Sequence, residues 1–168
     1  MNEGDTAPTA KAVAERASVS VRLVFHHFED MEALYRMALA EQASGEWAEV
    51  REVAPSLAVA ERIDRTVRQR AKLFDAIAPL RRAVTTIALR REDVEADIDE
   101  TDQQLRGWIE QTFERELAAA RKERRDLLDA LDVAASFETW DRLRHGQGLS
   151  AVAARRAVTR TLSALLGR

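Results

Sequence analysis

The side chains that could perform chemistry in this chain form a small set. It holds three histidines, an acidic run over residues 92–102, a basic cluster over 121–125, and glycines at 146 and 148. There is no cysteine, which excludes a disulfide framework, a thiolate metal site and a cysteine nucleophile. No motif pairs a nucleophile with a base, and no phosphate loop is present. The sequence therefore predicts a protein that is not an enzyme.

We predict no metal site and no cofactor. His26 and His27 are adjacent, so on a helix they point about 100° apart and lack the i, i+4 spacing of paired ligands. The acidic run over 92–102 alternates Asp and Glu as a calcium loop does. However, when Asp93 is taken as the first position of such a loop, the sixth position is Ile98 rather than glycine, and the twelfth is Gln104 rather than glutamate. A solvated helix start is the favoured interpretation.

The glycines and the basic cluster have structural interpretations. Gly146 and Gly148 are predicted to end one helix, since no strand precedes them and no third glycine follows as a phosphate loop requires. Ser150 is predicted to cap the next helix. The cluster over 121–125 is interpreted as a solvated junction between helices. The tryptophans are more typical of a core than of a ligand platform.

Composition indicates an all-α fold. The 168 residues include 30 alanines but only 6 glycines and 3 prolines, and 46% are apolar, which suits long helices around a core. No apolar run approaches the roughly 20 residues that a bilayer requires. The first eight residues are polar and acidic, unlike a signal peptide. We therefore expect a cytoplasmic protein without membrane contact.

Helical periodicity runs along nearly the whole chain. Two short helices are predicted, over about Thr9–Arg16 and Ser20–His26, and a third is predicted from its N-cap at Asp30 to about Val53. The other predicted helices span about 57–78, ending against Pro79, then about 80–90, a long helix entered from 92–102, and finally about 126–145 and 150–166.

The first two helices have the features of a helix-turn-helix. Ala14 and Ala17 are small enough for a close crossing, Val19 and Val24 can fill it, and Ser20 can cap the second helix. Phe25 and Phe28 are predicted to fasten the pair to the third helix. The outward residues at the start of the second helix are Val21, Arg22 and Leu23.

Residues 9–34 resemble the TetR family of transcriptional regulators. The resemblance rests on Thr9, on V-A-E-R-A-S-V-S at 13–20, on F-H-H-F at 25–28 and on the acidic helix start E-D-M-E-A-L at 29–34. It implies a ligand-responsive repressor that binds a double-stranded DNA operator as a homodimer. It also implies a small-molecule effector of unknown identity in a C-terminal helical bundle.

The resemblance further implies a role for each residue of the motif. Val21, Arg22 and Leu23 would face bases, and His26 would reach a base or a phosphate. Arginine commonly reads guanine, although an ordinary exposed arginine remains the alternative at Arg22. The residues at positions where relatives contact the phosphate backbone are Thr9, Ser20, Phe25 and His27.

The chain departs from the family pattern at four points. Ser18 replaces the usual turn glycine, Phe25 replaces a frequent tyrosine, and Met31 replaces a frequent lysine. Relatives also place a further helix before the motif, whereas only eight residues precede Thr9. We therefore expect an incomplete helix-turn-helix domain that lacks its first helix, either because this is a truncated form or because the domain is naturally incomplete.

Two domains are predicted: a DNA-binding domain over 1–46 and an effector-binding and dimerisation domain over 47–168. The helices over about 126–145 and 150–166 are expected to form the dimer interface, because their apolar stripes exceed what one thin bundle must bury. Four basic and eight acidic side chains give residues 1–47 a charge of −4. That charge favours an alternative, a dimeric small-molecule- or partner-binding helical protein with a defective DNA reader.

Overall fold

The computed structural model describes residues 9–47, 50 and 53–167. Over these residues the fold is all-helical and contains no strand, as the sequence predicts. The eight residues that precede Thr9 lie outside the described residues, so the expectation of an incomplete helix-turn-helix domain stays a prediction. The helices are α1 (Ala10–Ala17), α2 (Val21–His27), α3 (Met31–Trp47), α4 (Val59–Ala88), α5 (Glu92–Thr112), α6 (Glu114–Ala119), α7 (Arg124–Ala134), α8 (Phe137–Asp141) and α9 (Ala151–Leu165).

Helix α3 begins where the sequence predicts but is shorter than predicted. The Asp30 Oδ1 atom accepts a hydrogen bond from the Ala33 amide at 2.7 Å, which confirms Asp30 as a capping residue. Val50 and Val53 are not helical, so the predicted end near Val53 is wrong. Residues 48, 49, 51 and 52 of that predicted stretch lie outside the described residues.

Helix α4 is one continuous helix with Pro79 inside it, so the predicted break at Pro79 is wrong. Proline lacks an N–H and its ring crowds the carbonyl four residues earlier, which usually ends or kinks a helix. Here the residues on both sides are anchored in hydrophobic cores. Phe74 and Ile77 are buried before Pro79, and Val84 is buried after it. That burial outweighs the local cost of the proline.

The predicted helix over 126–145 is interrupted at Ala135 and Ser136. Ser136 instead caps α8, since its Oγ accepts from the Thr139 amide at 3.2 Å and donates to the Val133 carbonyl at 3.0 Å. Thr139 Oγ1 donates to the same carbonyl at 2.6 Å. These side-chain hydrogen bonds compete with the main-chain hydrogen bonds that would continue the helix. Hydrophobic periodicity alone does not reveal such competition.

Two short non-α turns complete the C-terminal part. Residues Arg121–Glu123 form a 3₁₀ turn before α7, and Arg142–Gly146 form a π-helical turn after α8. Of the two glycines predicted to cap a helix, Gly146 ends the π-helical turn and Gly148 has a positive φ of 65°. Ser150 caps α9 as predicted, with its Oγ accepting from the Ala153 amide at 3.2 Å.

The chain divides into two compact units. The first comprises the described part of Met1–Gly45 together with Ala76–Ile98, and the second comprises the described part of Glu46–Asp75 together with Asp99–Arg168. The predicted boundary between residues 46 and 47 separates a DNA-binding domain from an effector-binding and dimerisation domain. Because it is defined by function, it stays a prediction.

Each unit has its own hydrophobic core. In the first unit Tyr35, Val84 and Val94 are buried, and Met31 is among the half-buried side chains that pack against them. In the second unit the Phe74 and Phe137 rings meet edge to face, with centroids 5.7 Å apart. The largest side chains buried there include Ile63, Leu73, Ile109, Phe113, Leu117, Leu131 and Leu162. Among the described residues, none of the helices has the length and apolar character needed to cross a bilayer.

Candidate nucleic-acid interface

Helix α1 and the turn after it are closed by main-chain and side-chain hydrogen bonds. Thr9 caps α1, and its Oγ1 accepts from the Ala12 amide at 3.2 Å. Ser18 follows the helix with φ 56° and ψ 39°, in the left-handed region. The Val19 amide donates to the Ala14 carbonyl at 2.9 Å, which closes the turn.

Helix α2 starts two residues after that turn. Ser20 is extended, its Oγ accepts from the Leu23 amide at 3.1 Å, and its carbonyl accepts from the Val24 amide at 3.2 Å. The sequence prediction of Ser20 as the cap is therefore confirmed. The helix ends at His27, because Phe28 is extended with φ −126° and its amide donates to the Val24 carbonyl.

The two short helices bury little of their surface. Ala14 is 2% exposed and Val24 is 5% exposed, whereas Ala17 is exposed and Val19 is 38% exposed. Ala14 and Val24 are therefore the buried residues of the two helices. The predicted roles of Ala17, as a small residue at the crossing, and of Val19, as a residue that fills it, are therefore wrong.

The exposed residues of α2 are those predicted to read DNA. The α2 residues with exposed side chains are Val21, Arg22, Leu23, Phe25, His26 and His27. Phe25 is 48% exposed, so it does not fasten the pair to α3 as predicted. Its position lies about 100° around the helix from Val24, which faces inward. Phe28 is half-buried.

The two hydroxyl groups predicted to contact phosphate are already used as caps. In Thr9 and Ser20 the oxygen atom accepts a hydrogen bond from a main-chain amide. A hydroxyl can accept and donate at the same time. Each O–H can therefore still donate to a phosphate oxygen, so capping and phosphate contact are compatible at these positions.

The acidic charge of the N-terminal segment is concentrated outside the two short helices. Helices α1 and α2 together carry three basic residues, Lys11, Arg16 and Arg22, and one acidic residue, Glu15. The charge of −4 over residues 1–47 arises chiefly from residues 29–46 and from the start of the chain. The negative charge of residues 1–47 therefore does not lie on α1 and α2, the two helices predicted to bind DNA.

Ion pairs link the first residues of α3 to those around the start of α5, within the first unit. Arg91 Nη1 contacts Glu32 Oε2 at 3.1 Å and Asp30 Oδ2 at 3.6 Å. Arg36 Nη1 contacts Asp93 Oδ2 at 2.7 Å and also binds Asp97. Hydrogen bonding to Asp93 raises the pKa of Arg91, and the same bond lowers the pKa of Asp93 to about 2. These pairs fix the start of α3 to the start of α5.

The two histidines of α2 lie edge to face, with ring centroids 5.4 Å apart. In the part of the chain that the structure describes, no group of three or more His, Asp or Glu side chains is arranged to hold a metal ion. His145 lies in the second unit, where its Nδ1 is 3.1 Å from Asp141 Oδ1.

The helices predicted to dimerise bury most of the stripe that motivated the prediction. In α9, Ala154, Val158 and Leu162 are buried within the protomer. A partner would therefore meet another face. Val133 on α7 is 66% exposed and Val152 on α9 is 56% exposed.

A buried polar stripe on α4 was missed at the level of sequence. Arg62, Thr66 and Arg70 follow one another at intervals of four residues, and all are at most 6% exposed. The i, i+4, i+8 spacing places them on one helical face beside the buried Ile63 and Val67. That spacing is visible in the sequence and could have indicated them, since buried polar groups need specific partners.

Arg62, Thr66 and Arg70 differ in their hydrogen-bond partners. Arg62 donates to Glu116 Oε1 and Oε2 at 2.6 and 2.8 Å and to the Thr112 carbonyl at 2.6 Å. Arg70 donates to the carbonyls of Ala135, at 2.6 Å, and Leu105. Thr66 Oγ1 is buried between them and has no hydrogen-bond partner within the part of the chain that the structure describes.

In comparisons with known proteins, no family model, no curated protein and no solved structure matches this chain.

Proposed function

We propose that this chain is a DNA-binding transcriptional regulator of the TetR type, acting as a ligand-responsive repressor. The observation that carries the proposal is the geometry of α1 and α2. Two short helices are joined by a closed turn, and each is held by a hydroxyl cap. The second helix buries Val24 and exposes its other six residues, as a helix that enters the major groove must.

The exposed side chains of α2 suit base and phosphate contacts. The Arg22 guanidinium can donate two hydrogen bonds to guanine, while Val21 and Leu23 offer apolar surface for the thymine methyl group. Lys11, Arg16 and Arg22 give the two helices an excess of positive charge over Glu15. That excess favours approach to a phosphate backbone.

We propose a homodimer through the outer faces of the C-terminal helices, within the segments about 126–145 and 150–166. The exposed Val133 and Val152 support this arrangement, since large apolar side chains that water reaches are typical of a contact surface. A two-fold dimer would present two copies of α2 to a palindromic operator. Effector binding in the second unit would then change how the two copies fit DNA.

A second candidate is a protein that binds a partner protein through the same surface. It is favoured by the exposure of large apolar side chains there. Val19, Val21, Leu23 and Phe25 are each 38–48% exposed. Such a patch also suits a hydrophobic protein interface.

Selection from random-sequence DNA at two salt concentrations tests the proposal. A regulator enriches a palindrome whose half-sites are separated by about one helical turn or a multiple of it, and its affinity falls steeply with salt because it releases condensed counterions. Enrichment of no sequence, together with capture of a protein partner that resists salt, would favour the second candidate instead.

A further inference from the structure

Helices α7 and α9 lie side by side in the second unit, over the part of α4 that belongs to it. They pack against each other, and Ala134 of α7 and Val158 of α9 line one cavity together with Thr66 and Arg70 of α4. The buried faces of both helices therefore turn towards α4. Their outer faces point away from α4 and together form one surface of the second unit.

The outer face of α7 is acidic beyond its first turn. Asp126, Asp129 and Val133 follow one another at intervals of three and four residues, so they share one face of the helix, and all three are exposed. Asp129 binds Arg106, yet its side chain is 51% exposed. Residues 126–133 include three aspartates and no basic residue. This face therefore presents negative charge around Val133.

Two arginines begin α7 but do not reverse that charge. Arg124 binds Glu110 at 2.9 Å and Glu114 at 2.8 Å, so two carboxylates already compensate it. Arg125 is exposed and lies at the end of the face, before the first aspartate. The negative charge of the middle of the face is therefore left in place.

The outer face of α9 is basic. Val152, Arg156 and Arg160 follow one another at intervals of four residues and are exposed, opposite the stripe that this helix buries within the protomer. Helix α9 contains three arginines and no Asp or Glu, so no carboxylate of the same helix compensates them. Acidic and basic faces thus lie next to each other on the surface that α7 and α9 form.

A two-fold homodimer through this surface can pair its helices in two ways. If the two-fold axis runs across the helices, α7 faces α7 and α9 faces α9, so like charges meet. If the axis runs along the helices, α7 of each protomer faces α9 of the other, so opposite charges meet. Like charges that face each other in an interface are costly, whereas complementary charges fix the orientation of the partners. The charges of the two faces therefore favour the second arrangement.

We infer that two copies of this chain associate with α7 of each protomer against α9 of the other, so that Asp126 and Asp129 meet Arg156 and Arg160 of the partner subunit. Two-fold symmetry makes this contact occur twice. One exposed valine on each helix, 66% exposed on α7 and 56% exposed on α9, adds apolar contact area beside the charges. The pairing rests on the homodimer of the proposed function and specifies its orientation, but it requires no DNA.

Reversal of the charge on either face tests the pairing. An acidic variant of the full chain carries Arg156→Glu and Arg160→Glu, and a basic variant carries Asp126→Arg and Asp129→Arg. Each variant alone brings like charges together at both contacts, so its dimer dissociation constant should rise at least about 100-fold over that of the wild type. Sedimentation equilibrium over a range of protein concentrations measures these constants.

An equimolar mixture of the acidic and basic variants should form a heterodimer whose affinity lies within about tenfold of the wild-type value, because every acidic helix again faces a basic one. Native mass spectrometry separates the heterodimer from the two homodimers by mass. Recovery in the mixture also shows that both variants are folded. If α7 faced α7 and α9 faced α9, each variant alone would dimerise as well as the wild type.

That last result, or a wild-type chain that stays monomeric, overturns the inference. So does a mixture that forms no heterodimer although the circular dichroism of both variants matches that of the wild type. If the double variants lose their fold, the milder pair Asp126→Arg and Arg160→Glu leaves the bond between Asp129 and Arg106 in place. This pair should show the same pattern with changes of about tenfold, and its absence would reject the pairing.

The control reverses two cations at other places of the second unit. Arg115 and Lys122 are exposed and lie before α7. The variant with Arg115→Glu and Lys122→Glu changes the net charge as much as the acidic variant does. Its dimer dissociation constant should stay within about twofold of the wild-type value. A rise as large as that of the acidic variant would mean that net charge, rather than the pairing of α7 with α9, governs association.

Selection of DNA by the wild type separates this inference from the proposed function. The expected heterodimer pattern without any DNA selection keeps the pairing and rejects the regulator. DNA selection by a protein whose acidic and basic variants both dimerise like the wild type keeps the regulator and rejects the pairing.

Discussion

The Val19 amide donates to the Ala14 carbonyl at 2.9 Å, and this bond closes the turn that joins α1 to α2. The closure requires Ser18 to adopt φ 56°, a conformation that costs an L-residue other than glycine about 1–2 kcal/mol. The turn therefore contains backbone strain at Ser18. In the TetR pattern that residues 9–34 resemble, this position is usually glycine, which adopts a positive φ without that strain.

Ser18→Gly should relieve this strain. The gain is offset in part by the greater freedom of glycine in the unfolded chain, so we expect the free energy of unfolding to rise by about 0.5–1 kcal/mol. Urea denaturation measures the change, and hydrogen exchange of the Val19 amide reports it locally. Ser18→Ala is the control, because alanine keeps the Cβ atom and should bring no gain. A gain of the same size in Ser18→Ala would show that strain is not the cause.

The cap at Ser20 allows helix stability and DNA contact to be separated. Ser20→Ala should cost about 1 kcal/mol and reduce protection of the Leu23 amide, because the cap bond is lost. Ser20→Asp should keep that protection, because aspartate is an equally good cap. It should nevertheless weaken DNA binding through repulsion from a phosphate. Wild-type DNA affinity in Ser20→Asp would place Ser20 away from the DNA backbone.

Arg22→Ala tests base reading directly. If the guanidinium reads guanine, the selected operator should lose its preference at one position of each half-site, with a loss of about 1–3 kcal/mol per contact. Arg115→Ala, which removes the same charge from an exposed position on α6, should leave the preference intact. A uniform loss over all sequences would make Arg22 a phosphate contact rather than a base reader.

Sequence reasoning succeeded where a local signal decides the structure. Serine or aspartate before a helix has a side chain of the right length to satisfy a free amide, and the caps at Ser20, Asp30 and Ser150 follow from that alone. The all-α fold follows from periodicity in the same way. These features depend on neighbours within a few residues, which the sequence shows.

Sequence reasoning failed where tertiary contacts outweigh a local signal. Pro79 should end a helix, yet α4 continues because residues on both sides are buried. Periodicity joined α7 to α8, yet Ser136 and Thr139 divert the Val133 carbonyl. The spacing of Thr66 and Arg70 places them on one face of α4, but which side chains pack against them from α5, α7 and α8 is a tertiary feature that no local pattern shows.

The ion pair of Arg62 and Glu116 should be the most sensitive charge pair of the second unit. Both guanidinium nitrogens Nη1 and Nη2 bind the carboxylate, and the Arg62 side chain is 3% exposed. Glu116→Ala would leave a buried charge without its partner, so we expect a loss of about 3 kcal/mol in the free energy of unfolding.

The neighbouring Glu114 supplies the control for this pair. It binds Arg124 at 2.8 Å, but its side chain is 51% exposed, so Glu114→Ala should cost at most about 1 kcal/mol. Denaturation of both variants under one set of conditions gives the comparison. Similar losses in the two would mean that burial does not govern the strength of these pairs.

Titration of Asp93, in the first unit, should contribute to the pH dependence of the free energy of unfolding. Arg91 Nε and Nη2 each donate to this carboxylate at 3.0 Å, and Arg36 Nη1 donates at 2.7 Å. These bonds hold the pKa of Asp93 at about 2, below the value of about 3.9 in an unfolded chain. The folded state therefore binds this proton less readily than the unfolded state. The stabilisation is fully present above about pH 4 and is lost as the pH falls towards 2.

Asp93→Asn removes this titration, so stability should fall less steeply between about pH 4 and pH 2 than in the wild type. Stability near pH 7 should be lower in the variant, because asparagine cannot form the paired ionic bonds with Arg91. Glu95→Gln, which neutralises an exposed carboxylate on the same helix, is the control and should leave the slope close to that of the wild type. Thermal unfolding at a series of pH values measures both slopes. An unchanged slope in Asp93→Asn would mean that the exposed network is screened by solvent and contributes little to the acid sensitivity of the first unit.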